Sequence, residues 1–254
     1  MSGRSDREER REERPRAEER TGADERRQRL IKIGSAAVFL AIVAVAVLIV
    51  VSDGSGGGDA SSVEGAADVN KLLGQIPQKE LVLGEPSAKV AVVEFGDLQC
   101  PVCKGYSEEV LPPVIESRVR GGEATLEFRN YTIIGPESIP AGAAAVAAGR
   151  QGRGWEFVEL FYRNQGAEDS GYVTDEFLTA IAEGAGVPDI ARWNVDREDK
   201  AVVREVEETT AEARNLGFEG TPSFAVEGPG TKGLEPIGTP GSIGALEEAI
   251  SNAR

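Results

Sequence analysis

Hydrophobic and polar positions divide the chain into four segments. The first 29 residues contain ten arginines, nine acids and no aromatic residue, a composition too polar to fold around a core. Residues 33–51 are nineteen uncharged, mostly apolar positions, and a helix of that length just crosses a bilayer core of roughly 30 Å. The pattern predicts a charged tail over residues 1–32, a transmembrane signal anchor over 33–51, a flexible linker over 52–70 and a folded domain over 71–254.

Strand-like and helix-like patterns alternate in the folded domain. Residues 90–95 are a near-continuous apolar run, as expected of a strand covered on both faces, and residues 124–134 alternate like a strand. A helix-like segment follows Cys100, and Pro112 with Pro113 is expected to kink it or end its first part. Further strands are expected at residues 80–83, 223–226 and 233–237, and further helices at 139–148, 155–162, 177–181, 199–216 and from Thr239-Pro240 to Asn252. This order predicts an α/β fold with a helical insertion at about 137–216.

Basic residues lie on one side of the apolar segment. Residues 1–32 hold eleven Lys and Arg, whereas none follows the segment until Lys71. Because basic flanks stay in the cytoplasm, this predicts a single-pass protein of the cell membrane with a cytoplasmic N-terminus and an extracytoplasmic folded domain. A cleaved signal peptide is the main alternative, but the apolar run is longer than usual for one and no clear A-x-A site follows it.

The composition excludes two classes of function. Beyond residue 32 the chain has 17 basic and 34 acidic residues, and such a surface repels nucleic acid. The chain has two cysteines and no histidine, so a structural zinc site within one chain and an imidazole base are both excluded. We expect no metal and no cofactor.

The two cysteines, Cys100 and Cys103, stand three residues apart at the junction of a buried strand and a helix. At this spacing two sulfurs on the first turn of a helix alternate between dithiol and disulfide with little backbone movement. The helix N-terminus favours a thiolate at Cys100, and Pro101 suits the first helical position. The pair therefore predicts redox exchange, with Cys100 as nucleophile and Cys103 as resolving thiol. An inert disulfide closing a small loop is the alternative.

Three segments resemble the DsbA-like family of thioredoxin-fold thiol:disulfide oxidoreductases, in particular its membrane-anchored bacterial members. They are residues 93–104, residues 151–165 around Gly154-Trp155-Glu156-Phe157, and residues 216–224 with Gly220-Thr221-Pro222-Ser223. The likeness spans roughly residues 78–254. It implies a thioredoxin-like fold with a helical insertion, preceded here by one transmembrane helix.

The resemblance also assigns roles to residues around the cysteines. It makes Pro222 the cis-proline that faces the redox pair, and Thr221, with Pro101 and Val102, a contact for an extended substrate segment. It matches Glu94 to a buried acid beneath the second cysteine, a candidate proton relay whose pKa burial raises. A glutamate at the exposed end of the strand is the alternative for Glu94.

One position departs from the family pattern. Strong oxidases of the family often carry histidine between the cysteines, where this chain has Val102. We therefore expect Cys100 to be less acidic than in DsbA, with a redox poise between those of DsbA and thioredoxin.

The function implied is disulfide exchange with secreted proteins, mainly as an oxidase. Exported cysteine-containing proteins are the expected substrates, and a DsbB-like or vitamin-K-epoxide-reductase-like membrane protein is the expected reoxidising partner. Two alternatives remain open: a disulfide reductase or isomerase, and a non-enzymatic tethered binding module on the same scaffold.

Overall fold

The computed structural model describes residues 63–254, and their centre is a six-stranded sheet. Its order is β1-β2-β4-β3-β5-β6. The strands are β1 Gln78–Lys79, β2 Val82–Leu83, β3 Val90–Gly96, β4 Ala124–Asn130, β5 Ser223–Glu227 and β6 Glu235–Gly238. Strand β3 lies in the middle, parallel to β4 and antiparallel to β5. All but one of its residues are buried, which explains its unbroken apolar pattern.

The helix that follows β3 is not uniform. It consists of α2 Pro101–Gly105, a π-helical turn Tyr106–Val110, α3 Leu111–Val114 and a second π-helical turn Ile115–Val119. Pro112 was expected to kink or end this helix, but helical structure continues past it. The Leu111 N–H bonds the Tyr106 carbonyl five residues earlier, and this wider turn precedes the proline, which has no N–H to donate.

The predicted helical insertion is present between β4 and β5. It comprises α4 Ser138–Gly149, α5 Gly154–Arg163, α6 Asp175–Gly184, α7 Ile190–Arg197 and α8 Lys200–Asn215. Helix α4 is its centre, with ten of twelve residues buried, because alanine and glycine let neighbouring helices approach closely. Helix α7 was missed in the sequence because it is short and half of its residues are polar. It is fixed by Asp189 as its N-cap and by buried Trp193, whose indole N–H donates to the Ala144 carbonyl at 2.9 Å.

Three predicted boundaries were wrong. A helix, α1 Ala66–Leu73, begins inside the predicted linker, because Val69 and Leu73 are buried. The expected strand at residues 80–83 is instead the hairpin of β1 and β2, with Glu80 in the left-handed region at its turn. The last helix, α9 Ile243–Asn252, starts four residues later than Thr239, since Ser242 caps it.

No helix within residues 63–254 is long and apolar enough to cross a bilayer. The predicted signal anchor at 33–51, the charged tail and residues 52–62 of the predicted linker lie outside the described residues.

Candidate active site

Cys100 stands at the N-cap of α2, directly beyond the end of β3. Its sulfur accepts a hydrogen bond from the Cys103 N–H at 3.5 Å and donates one to the Thr221 carbonyl at 3.5 Å. Pro101 occupies the first turn, as predicted. Both cysteines are free thiols in the structure, with Cys100 4% exposed and Cys103 fully buried.

The two thiols have opposite acidities. The pKa of Cys100 is lowered to about 6, first by its hydrogen bond with the Cys103 side chain, then by the Thr221 side chain and the N–H groups of Cys103 and Val102, against the opposing effect of burial. Burial raises the pKa of Cys103 well above its ordinary value, and Cys100 and Glu94 raise it further. Near neutral pH, Cys100 is therefore the thiolate and Cys103 the thiol.

The Thr221–Pro222 peptide bond is cis and lies opposite Cys100. Side chains hold this loop from both ends: the Thr239 hydroxyl donates to the Pro222 carbonyl at 2.6 Å, and the Ser223 hydroxyl donates to the Gly220 carbonyl at 2.7 Å. The first contact explains why Thr239 does not cap the last helix. The Thr221 carbonyl is thereby fixed against the Cys100 sulfur.

Pro101 and Val102 lie at the surface beside Cys100. Val102 is 56% exposed and is among the few large hydrophobic side chains so exposed in residues 63–254. An apolar side chain next to a reactive sulfur offers a contact for an apolar side chain of a partner. The structure therefore brings Pro101, Val102, Thr221 and Pro222 together around Cys100.

Glu94 lies in the central strand and is fully buried, so the interpretation as an exposed strand end was wrong. Burial is the main cause that raises its pKa to about 8, and the charges of Glu159 and Cys100 add to it. Glu94 also raises the pKa of Cys103. At neutral pH this acid retains its proton.

The chain is similar to known proteins. A family model described as Thioredoxin matches residues 77–237. The chain is 32% identical over 149 residues to the probable disulfide bond formation protein D of Bacillus cereus, a stretch that covers 58% of this chain and 69% of that protein. The chain belongs to the DsbA-like family of thioredoxin-fold thiol:disulfide oxidoreductases.

Solved structures of low identity share the fold. Oxidised BdbD from Bacillus subtilis gives a TM-score of 0.61 at 21% identity, covering 70% of this chain and 97% of that one. The α-DsbA1 protein of Wolbachia pipientis gives 0.55 at 19% identity, covering 73% and 95%. The thioredoxin-like fold with a helical insertion is thus confirmed.

Asp97, in the loop between β3 and α2, was not predicted to matter. Its buried carboxylate accepts three backbone hydrogen bonds, from Gln99 at 2.9 Å, Ile133 at 2.8 Å and Ile134 at 3.0 Å. A single side chain therefore ties the loop that carries Cys100 to the segment after β4.

Two amides attach the same loop to the helical insertion. Gln165 donates to the carbonyls of Leu98 at 2.7 Å and Cys100 at 3.1 Å. Buried Gln99 donates to the Ser138 hydroxyl at 3.0 Å and accepts from the Asp169 N–H at 3.0 Å. Gln165 falls in a segment that carries the family resemblance, but no sequence signal assigned it to the Cys100 loop. The insertion therefore positions the redox pair.

Proposed function

We propose that this oxidoreductase acts outside the cytoplasm, mainly as an oxidase that introduces disulfides into exported proteins through the Cys100–Cys103 pair. The supporting observation is the contrast in acidity within one helical turn. A stabilised Cys100 thiolate favours the reduced form of the enzyme, and an enzyme whose reduced form is stabilised is a stronger oxidant.

The reaction begins from the Cys100–Cys103 disulfide. A substrate thiolate attacks the Cys100 sulfur, the S–S bond breaks, and Cys103 leaves with the electron pair and takes up a proton. A second substrate thiolate then attacks the substrate sulfur of this mixed disulfide and releases Cys100 as a thiolate. Two substrate thiols have become one disulfide, and the enzyme has gained two electrons.

The surface around Cys100 fits an extended substrate segment. We assign backbone pairing with the substrate to Thr221, which stands at the end of strand β5, in the manner of strand addition. Val102 and Pro101 contribute apolar contact on the other side of the sulfur. Pro222 keeps the Thr221 carbonyl directed at Cys100.

The sequence supports the proposed location and partner. The apolar segment 33–51 and its basic N-terminal flank favour a single-pass anchor that leaves the catalytic domain outside the cell membrane. Disulfides persist in that compartment. Reoxidation requires an electron acceptor, for which a DsbB-like or vitamin-K-epoxide-reductase-like membrane protein is the expected partner, and anchoring would raise its effective concentration.

Trapping tests the activity. Cells expressing the Cys103→Ala variant should accumulate mixed disulfides between Cys100 and exported proteins. In this variant the Cys100 thiolate attacks a disulfide of an exported protein, and Cys103, the thiol that would attack the resulting mixed disulfide from within the enzyme, is absent. The Cys100→Ala, Cys103→Ala double variant is the matched control. Absence of any adduct that depends on Cys100 would favour the binding-module alternative.

Alkylation in intact cells tests direction and location together. A membrane-impermeant maleimide should reach Cys100 only after a reductant is added, since we expect the pair to be mostly oxidised at steady state. A mostly reduced pair would support the reductase alternative. A pair inaccessible to the impermeant reagent, yet labelled by a permeant one, would contradict the extracytoplasmic location.

A further inference from the structure

Buried polar atoms without partners gather beneath the active-site helix. Both carboxylate oxygens of Glu94 and of Glu159, the Ser107 hydroxyl and the Tyr106 hydroxyl are buried, and none has a hydrogen-bond partner among the described residues. Such groups are rare in a protein core, and each lowers the stability of the fold. Their concentration next to the redox pair points to a function.

Glu159 belongs to α5, which packs against the active-site helix from the helical insertion. Like Glu94, it is fully buried. Helix α5 meets the chain directly after β3, since the Tyr162 hydroxyl donates to the Asp97 carbonyl at 3.3 Å. The charge on Glu159 raises the pKa of Glu94. Two buried carboxyls so placed do not both ionise readily, and the pair therefore holds at least one proton near neutral pH.

The other groups that face the two acids are few. Glu159 faces Ser107 and Glu108 on the π-helical turn and Arg163 on its own helix. Burial raises the pKa of Glu159 to about 7, Ser107 and Arg163 oppose that rise, and Glu108 adds to it. No hydrogen bond of standard geometry joins Ser107 to Glu159. Besides Glu159, four groups interact electrostatically with Glu94: Cys100, Cys103, Tyr106 and Tyr162.

We propose that Glu159 is a second acid of the redox site, which restores the proton on Glu94 after Glu94 has protonated the sulfur of Cys103. The inference rests on the proposed exchange reaction, because only that reaction creates a Cys103 thiolate. Glu159 does not touch the sulfur. It is a positioning residue that acts through Glu94.

The proposed relay moves protons from Glu159 to Glu94 and from Glu94 to Cys103. When the S–S bond breaks, Cys103 leaves as a thiolate and takes the proton of the Glu94 carboxyl. Glu94, now a carboxylate, takes the proton of Glu159. Glu159 is then reprotonated from solvent on the side of Ser107, whose chain neighbour Glu108 is exposed and lies 4.0 Å from Lys104. Reoxidation of the cysteines runs the same transfers in reverse.

Carboxyl carbon NMR on 13C-glutamate-labelled protein tests the coupling directly. Full-length protein is titrated with the cysteines first oxidised and then reduced, and the two resonances are assigned with Glu94→Gln and Glu159→Gln. We expect Glu159 to titrate above pH 6 and both midpoints to move on reduction. A Glu159 midpoint near the ordinary glutamate value, or one identical in both redox states, would overturn the proposal.

The pH profile of disulfide reduction supplies a kinetic test. The rate at which dithiothreitol reduces each variant is divided by the wild-type rate at the same pH. The fraction of the reagent present as thiolate then cancels from the ratio. Glu159→Gln removes the group that returns a proton to Glu94 and whose negative charge, once that proton has left, raises the pKa of Glu94. Less of the variant's Glu94 therefore carries a proton as the pH rises, and the relative rate should fall with rising pH and be about five-fold low at pH 8. Glu159→Asp should recover much of the rate.

Controls separate this relay from a structural role and from the exchange activity itself. Glu109→Gln removes an exposed acid of the same π-helical turn and should leave the profile unchanged. A Glu159→Gln profile lowered equally at every pH would indicate a structural role and contradict the relay. Mixed disulfides trapped through Cys100 would still support the exchange reaction if the relay failed, whereas their absence would contradict both.

Discussion

The two sides of the active-site helix place their sulfurs in opposite environments. On the rim, defined as Cys100, Val102 and Thr221, the Cys103 N–H donates to a sulfur beside the exposed Val102, and hydrogen bonds lower the pKa of that sulfur. On the floor, defined as Cys103, Glu94 and Glu159, a fully buried sulfur is surrounded by apolar atoms and acids. Donors stabilise a negative charge, whereas burial and nearby carboxylates oppose one. The contrast shows how two chemically identical thiols acquire different roles from their surroundings.

The largest effects are expected from two variants, each of which removes the sulfur on one side of the helix. Cys100→Ser should abolish exchange, by about a thousand-fold or more, since the rim then has no nucleophile. Cys103→Ser should instead form one mixed disulfide per enzyme and stop. Mass spectrometry of the reduced enzyme after incubation with a disulfide-bonded peptide, whose S–S bond the Cys100 thiolate attacks, distinguishes the two results. Equal adduct formation by both variants would contradict the assignment of roles.

The next prediction concerns the stability of the floor. On folding, the pKa of Glu94 rises from 4.5 to about 8 and that of Glu159 from 4.5 to about 7. Between these pH values the folded protein therefore holds protons that the unfolded protein has released. The free energy of unfolding should therefore fall as pH rises from about 4.5 to 8, by up to about 8 kcal/mol from the two acids together. Urea unfolding across this range measures the slope.

A matched pair of variants isolates that contribution. The Glu94→Gln, Glu159→Gln double variant should lose most of the slope, whereas Glu109→Gln should retain it. A double variant with the wild-type slope would show that neither acid retains its proton in the folded state.

Asp97 fixes the position of the loop that carries Cys100. Asp97→Ala leaves three backbone N–H groups without their acceptor and should lower the free energy of unfolding by roughly 2 kcal/mol. It should also raise the pKa of Cys100, because the loop before the helix is no longer held. Glu109→Ala, an exposed acid, should change the stability by less than about 0.5 kcal/mol. Similar losses in the two variants would contradict the bracing role.

The smallest effect is expected from a substitution on the rim. Val102→His adds a cationic group beside Cys100 and should lower the pKa of that thiol by about one unit, with a more oxidising potential. Val195→His is the control, since Val195 is 72% exposed and lies on α7 in the insertion. The wild-type potential should lie between about −270 and −120 mV, the values for thioredoxin and DsbA. A potential at the thioredoxin end would contradict the oxidase assignment.

Local signals in the sequence predicted the rim well. The apolar run before Cys100, the spacing to Cys103 and the proline at the first helical position each report on adjacent residues, and all three features are present. The family resemblance predicted that Pro222 is a cis-proline, and the Thr221–Pro222 bond is cis. The floor was predicted only in part. Burial of Glu94 was one of two alternatives, because it depends on which elements cover its strand, and Glu159 was not predicted.

The sequence by itself determined the elements whose residues are neighbours along the chain: the central strand, the redox helix and the choice of Cys100 as the acidic thiol. Only the tertiary structure decided what lies beneath that helix. Glu159 is 65 positions from Glu94 in the chain, and Gln165 is likewise 65 positions from Cys100. Their approach depends on how the helical insertion packs against the sheet. No periodicity or spacing in the sequence encodes such long-range contacts, because they arise from the packing of complete elements.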